Sequence, residues 1–298
     1  MPCYKSTCRH IQVTLWIILV LFPLSLTALG KRENGDSNKL SKFTTLLVTG
    51  KPWKIGNPVW NTWLAEFASR FSTTKNDKNL KLKFARKNVS LESGARFVSS
   101  PAGILPSEEL SFKYKVYFGR GFDFVISGKL PGIYIGTYQE GYSTGKMYND
   151  GQGSFRPTWQ KQKGDKNPII APYLYGAHGS NEKARQAQGP KTRAIMSGGG
   201  SGIHFWMYGD SNLSLKQGWN KVEIALKLNT PGVADGKVRL RVNGRRKTLD
   251  DVSFRNKKET KIQSIAMECF FGGSSKYHMT PGYKQTTKFK DIKLRPKF

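Results

Sequence analysis

Residues 112–118 read FKYKVYF. Phe112, Tyr114, Val116 and Phe118 alternate with Lys113, Lys115 and Tyr117. A period of two puts apolar side chains on one side of an extended chain and polar ones on the other, which predicts a half-buried antiparallel strand. The pattern recurs at Val222, Ile224, Leu226 and Leu228, and again at Val238, Leu240 and Val242, which alternate with Arg239 and Arg241. Asn243-Gly244 follows directly and suits a tight hairpin turn that needs positive φ. Further strands are expected in IQSIAMECFF (262–271) and TTKFKDIKLRP (286–296). Only PVWNTWLAEFASRF (58–71) has helical spacing, and 137–190 is rich in Gly, Gln, Lys and Tyr with little periodicity, as a lid over a cleft would be. There is no repeat and no strand–helix rhythm. The expectation is one all-β domain over 46–298, a sandwich or jelly roll with few short helices, after a polar linker at 31–45.

Charge narrows the class of partner. The 298 residues carry 49 Lys+Arg against 20 Asp+Glu, a net +29. That exceeds what solubility requires and points to a polyanion. Lys113, Lys115, Arg239, Arg241, Lys288, Lys290 and Lys293 fall on the outward sides of their expected strands. Near the N-terminus, Lys5 and Arg9 precede the apolar run IQVTLWIILVLFPLSLTALG (11–30), which ends in small residues at Ala28 and Gly30. This is the pattern of a signal peptide over 1–30 cleaved before Lys31, or of an uncleaved signal anchor. Either places the rest of the chain outside the cytoplasm, so the protein is expected to be secreted or membrane-anchored and its polyanion is not expected to be nucleic acid. After such cleavage Cys269 is the one remaining cysteine, expected as a free buried thiol. No CxxC or HExxH occurs, so no metal site is expected. Asn88 and Asn212 lie in glycosylation sequons.

Five stretches carry a resemblance: ARFVSSPAGILP (95–106), LSFKYKVYFGRGFDFVISGKLPGIYIG (110–136), GWNKVEIALKLNTPGVADGKVRLRVNG (218–244), MECFFGGSSKYHMTP (267–281) and TTKFKDIKL (286–294). In this order they resemble the polysaccharide lyase 14 family and its relatives the glucuronan lyases, over roughly 90–298. GKLPGIYIG and FFGGS form the specific pair, while NTPGVADGKVRLRVNG is shared by many concanavalin-like sandwiches. The resemblance implies a concanavalin-like jelly roll of two antiparallel sheets with an active groove, and a metal-independent reaction without a cofactor. It implies that the lysine of KLPG, here Lys129, lies in that groove. The family follows it with a Ser-Thr-Arg-Leu-Met-Trp strand, a Gly-rich turn and a strand with two tyrosines one residue apart. Matched to KTRAIMSGGGSGIHFWMY (191–208), this pattern puts Lys191 at the serine, Thr192 at the threonine, Arg193 at the arginine, Trp206 at the first tyrosine and Tyr208 at the second.

A lyase acting on a uronate must offset the carboxylate charge, remove the C5 proton and help O4 depart. Guanidinium meets carboxylate in a fork, which suits Arg193. Lys129 can add charge or lower a neighbouring tyrosine's pKa. Tyr208 can act as base when ionised and as acid when neutral. Lys191, Thr192, Trp206, Tyr134 and His278 are then expected to line the groove. Two readings stand: a secreted, monomeric lyase on glucuronan- or alginate-like chains, and a non-catalytic relative that binds acidic polysaccharide in a degenerate lyase fold as a surface or virion component.

Overall fold

The strand patterns read from the sequence are realised in two antiparallel sheets. The structure is a computed structural model. It describes residues 44–45, 60–73, 79–136, 153–161, 167–175, 192–197, 201–207, 213–273 and 276–298, all within the compact unit Ser37–Phe298. The N-terminal signal sequence expected at 1–30 lies outside the described residues.

The back sheet has eight strands. Its order is β15 (Arg245–Val252), β14 (Gly236–Val242), β13 (Gly218–Lys227), β6 (Glu109–Phe118), β17 (Thr286–Arg295), β4 (Leu80–Lys83) and β3 (Phe71–Ser72). β1 (Thr44–Thr45) pairs with β17 as well, so the sheet takes in two residues from the stretch read as linker. β14 alternates strictly between buried and at least partly exposed residues, β6 does so from Phe112 to Phe118, and β17 does so on either side of a bulge at Lys290-Asp291. Asn243 and Gly244 both have positive φ and close the β14–β15 hairpin, as their sequence predicts.

The front sheet has seven strands. Its order is β10 (Ile169–Tyr175), β9 (Gly153–Gln160), β7 (Ser127–Lys129), β16 (Ile262–Phe271), β5 (Ala95–Ser99) and β2 (Thr62–Glu66), with β8 (Gly132–Ile135) also paired to β16 and β9. A separate ribbon joins β11 (Thr192–Ser197) to β12 (Ser201–Met207). The inward sides of the two sheets share one core, in which Phe112, Val116 and Phe289 of the back sheet meet Phe97, Phe155 and Phe271 of the front sheet. Aromatic edges dominate it: Phe118 and Phe124 lie 4.7 Å apart, and Trp159 and Phe271 5.6 Å apart. Burial of large apolar surface from both sheets is the main stabilising term. Cys269 is free and fully buried here.

Two expectations need correction. The helix expected over 58–71 does not form across its described residues, 60–71. They give β2, a short 3-10 turn at Ala68–Arg70 and the start of β3. Phe67 at φ 51 breaks the path between them, and Ala65 packs on the core while Leu64 packs on the opposite face. Tertiary pairing with β5 overrides the helical spacing. The unpatterned stretch 137–190 also contains two strands of the front sheet, β9 and β10. β9 is buried on both sides, so polar Ser154, Arg156, Thr158 and Gln160 alternate with Phe155, Pro157 and Trp159 without a solvent-facing signature. The remainder of 137–190 lies outside the described residues.

GKLPG is not a turn between hairpin strands. β7 and β8 occupy one slot in the sheet, both between β9 and β16. Lys129 faces Thr158 whereas Ile133 faces Phe155, so the strand slips by one residue across Leu130-Pro131. This is a bulge, where a proline without an N–H is tolerated. Its conformation is tied to the back sheet by the Tyr114 hydroxyl, which donates to the Pro131 carbonyl at 3.2 Å.

Immediately before Lys129, Gly128 lies under the Trp159 indole. A Cβ there would come within 1.9 Å of Trp159 Cζ2. Gly128→Ala is therefore expected to cost about 1–3 kcal/mol or more through overpacking. A urea midpoint lowered at unchanged slope would confirm this, and an unchanged midpoint would show that the indole moves freely.

Candidate active site

The side of the front sheet that faces away from the core carries a row of charge. Glu268 on β16 has no exposed surface and stands opposite Arg96 on β5, which stands opposite Glu66 on β2. The Glu268 carboxylate lies 3.4 Å from Arg156 Nη1 and 4.0 Å from Arg96 Nη1. Arg96 Nε donates to Glu66 at 2.7 Å. The row thus alternates in sign: Arg156, Glu268, Arg96, Glu66. Such alternation is how buried charge is tolerated, since an unpaired ion there would be strongly destabilising. Burial opposes the charge on Arg96, but Tyr134, Glu268 and Glu66 outweigh it and raise its pKa.

Tyr134 on β8 belongs to this row rather than to its surface. It is 1% exposed, packs with Val98 and Ala266, and its hydroxyl donates to Glu268 Oε2 at 3.2 Å. Burial and the Glu268 charge push its pKa up to about 12. It therefore stands in the floor as a neutral hydrogen-bond donor to Glu268, below the surface of the sheet.

Above the floor stand Lys129 and Tyr173. Lys129 Nζ donates to Thr158 Oγ1 at 2.9 Å and sits 3.1 Å from the centroid of the Tyr173 ring. Tyr173 stands opposite Arg156 in the β10–β9 ladder, with the guanidinium carbon 5.4 Å from its ring centroid. Both Lys129 and Tyr173 are partly exposed. Burial, then the charge of Arg156, hold the Lys129 ammonium well below the usual lysine range, with Glu268 opposing. His278 is close enough to feel Lys129. Its pKa is lowered by burial and by that charge, so its imidazole is neutral near pH 7. A Cβ on Gly273 would come within 2.5 Å of His278 Nδ1, so this glycine gives the ring its place beside the FFGGS turn.

Of the residues expected at the site, the structure brings Lys129, Tyr134 and His278 together. It does not bring Thr192, Arg193 and Trp206 into the front sheet. They lie in the β11–β12 ribbon, where Arg193 faces Trp206 and Thr192 faces Met207. The ribbon runs beside β10 without pairing to it. Lys191 and Tyr208 lie outside the described residues.

β9 and β10 carry a second match to the same pattern. Ser154-Phe155-Arg156-Pro157-Thr158-Trp159 keeps serine, arginine and tryptophan at the spacing of Ser-Thr-Arg-Leu-Met-Trp. Tyr173-Leu174-Tyr175 has two tyrosines one residue apart. Ser154 pairs with Tyr134 on one side and Tyr175 on the other, directly along the strand from Arg156. Periodicity does not disclose this match, because 137–190 lacks a period. The SxRxxW string was the signal that could have found it.

Comparison with known proteins gives the family. Residues 72–292 match the model of the polysaccharide lyase 14 family, more than half of the chain. The chain belongs to the polysaccharide lyase 14 family. It is similar to Exolysin of Paramecium bursaria Chlorella virus 1, at 26% identity over 199 residues, covering 63% of this chain and 29% of the relative. The chain thus spans less than a third of that relative's length. The family's crystallised alginate lyase from Aplysia kurodai superposes with a TM-score of 0.64 at 24% identity, covering 78% of this chain and 89% of that one. An alginate lyase from Chlorella virus gives 0.63 at 20% identity, covering 82% and 95%. These two likenesses establish the jelly roll of two antiparallel sheets for this member of the family.

The lowered pKa of Lys129 has a measurable consequence. The folded chain holds this proton less tightly than the unfolded chain, so between the folded pKa and the ordinary value of about 10.4 the unfolded state binds more protons. Stability attributable to Lys129 therefore rises with pH through that window. Urea unfolding of the wild type and of Lys129→Met, from neutral pH to pH about 10, should show the wild type gaining on the variant as pH rises. Parallel curves would mean that the ammonium is not desolvated.

Proposed function

We propose that this polysaccharide lyase 14 protein is a secreted enzyme that cleaves an acidic, uronate-containing polysaccharide of the alginate or glucuronan type by β-elimination. The observation that carries the reading is the position of Lys129 Nζ, 3.1 Å from the Tyr173 ring centroid, beside Arg156. The alginate lyases it resembles in fold support the substrate class. Secretion is supported by the apolar run at 11–30.

The positive field of Lys129 and Arg156 suits both the uronate carboxylate and an ionised phenol. In the reaction, the Tyr173 phenolate takes the C5 proton, and the electron pair is held as the enolate of the carboxylate. The C4–O4 bond then breaks and its electrons leave with O4. The same phenol returns its proton to O4, so the tyrosine ends as it began and the product carries a C4=C5 double bond. Tyr175 and Ser154 stand opposite one another in the same ladder, two residues along from Tyr173 and Arg156. The reading as a non-catalytic binder rested on Lys191 and Trp206 replacing a serine and a tyrosine. With β9 and β10 as the functional strands, the serine, the arginine and both tyrosines are present.

The test is ultraviolet absorbance of the unsaturated product on alginate, polyglucuronate and polymannuronate. Tyr173→Phe should lose about 10²–10⁴-fold in turnover, while Arg193→Ala and Tyr208→Phe keep it within a few-fold. A flat wild-type trace on all three polymers contradicts the reading. So does loss confined to the Arg193 or Tyr208 variants.

A further inference from the structure

The outer face of the back sheet carries a feature that the reaction does not use. Lys290, Lys115 and Lys221 stand directly opposite one another on β17, β6 and β13. Like charges directly opposite one another in a ladder are destabilising, so a lone fold has no use for three abreast. In the next row, Lys293 and Lys113 lead to Glu223, which is 6% exposed and is approached by Lys113 at 3.1 Å and by Arg239 and Arg241 at 3.7 Å. Asp291 holds Lys115 at 2.6 Å. A pocket of about 390 Å³ opens here, lined by five cations (Lys113, Lys115, Lys221, Arg241, Lys293) and by the carboxylates Glu223 and Asp291, a net +3. In the row on the other side of the three lysines, Trp219 faces Tyr117, with ring centroids 5.3 Å apart and both rings partly exposed. Lys290 Nζ lies 4.0 Å from the Trp219 centroid.

We propose that this face is a second binding surface for acidic polysaccharide, which holds the polymer outside the reaction groove. The identity of its occupant rests on the reading of the substrate as a polyuronate. A uronate chain presents a carboxylate, several hydroxyl donors and an apolar ring face on each sugar. Carboxylates are matched by the lysines and Arg241, hydroxyls by Glu223 and Asp291, and ring faces by Trp219. A phosphodiester backbone presents acceptors only, which the two carboxylates repel, and a bilayer surface offers no ring face for Trp219 to stack on. Because the two sheets stack about 10 Å apart, back to back, a short oligosaccharide in the groove does not reach this surface, whereas a polymer engages both. The surface raises the local concentration of chain near the groove.

The test uses the full chain with Tyr173→Phe, so that polymer is not cut, and follows retention on polyuronate gels at fixed ionic strength. Lys115→Ala, Lys221→Ala and Lys290→Ala together should weaken polyuronate binding about tenfold. Trp219→Ala, which leaves the charge intact, should weaken polyuronate binding but not polyacrylate binding. In the otherwise wild-type enzyme the triple variant should cleave a uronate trisaccharide as before and dilute polymer more slowly. Unchanged retention overturns the proposal. So does a loss seen with duplex DNA or phosphatidylserine vesicles but not with polyuronate, or trisaccharide cleavage that falls in step with polymer cleavage. Retention is read without turnover, so a wild type that cleaves nothing yet loses retention in the variants upholds this surface while the lyase reading fails.

Discussion

Glu268 is a carboxylate with no exposed surface, placed between two arginines in the middle strand of the front sheet. A buried carboxylate of this kind is destabilising unless both its charge and its hydrogen-bonding capacity are met. Here Arg156 comes from β9, Arg96 from β5 and the Tyr134 hydroxyl from β8, so a single group ties three neighbouring strands to β16. A slip of one residue in any of them would turn its partner toward the core. The pairing thus specifies register as well as neutralising charge, and it fixes Arg156 where β9 faces Tyr173.

Lys129 completes the arrangement from the neighbouring slot. The bulge at Leu130-Pro131 lets the strand pause, keeps Leu130 in the core and leaves the ammonium over Tyr173. Gly128 gives Trp159 room beneath it. The floor is nearly balanced in charge, so the cation at the surface sets the local potential. That suits a substrate whose charge grows at its carboxylate during the reaction. The back sheet divides its residues differently: it buries its apolar sides and carries its cations outward, with one buried carboxylate among them. Among the described residues, the outer face of the back sheet thus carries part of the surplus of charge that stands out in the composition.

How much of this could be read in advance follows from solvent contact. β6, β13, β14 and β17 have one wet side, so alternation and the Asn-Gly turn revealed the back sheet directly. Lys129 was legible because GKLPG is a specific string. β9 and β10 were not legible by period, because a strand buried on both sides loses its polar signature when its second side is filled with paired charge. Arg156, Ser154 and Tyr173 were missed for that reason, and the pattern was matched instead to 191–208, where the threonine and arginine coincide but the strands form a separate ribbon. The apolar residues of 58–71 recur three and four apart, which favours a helix, and only the pairing of Thr62–Glu66 with β5 decides for a strand. Partnership across the sheet, such as that of Glu268 with Arg96 and Arg156, leaves no trace in a single sequence.

The most direct test of the account is a crystal structure of the Tyr173→Phe variant with a uronate trisaccharide bound. The account predicts a sugar over the front sheet, its carboxylate within hydrogen-bond distance of Lys129 and its C5 turned toward residue 173. Sugar bound along the β11–β12 ribbon at Arg193 and Trp206, with Lys129 and position 173 untouched, would contradict it.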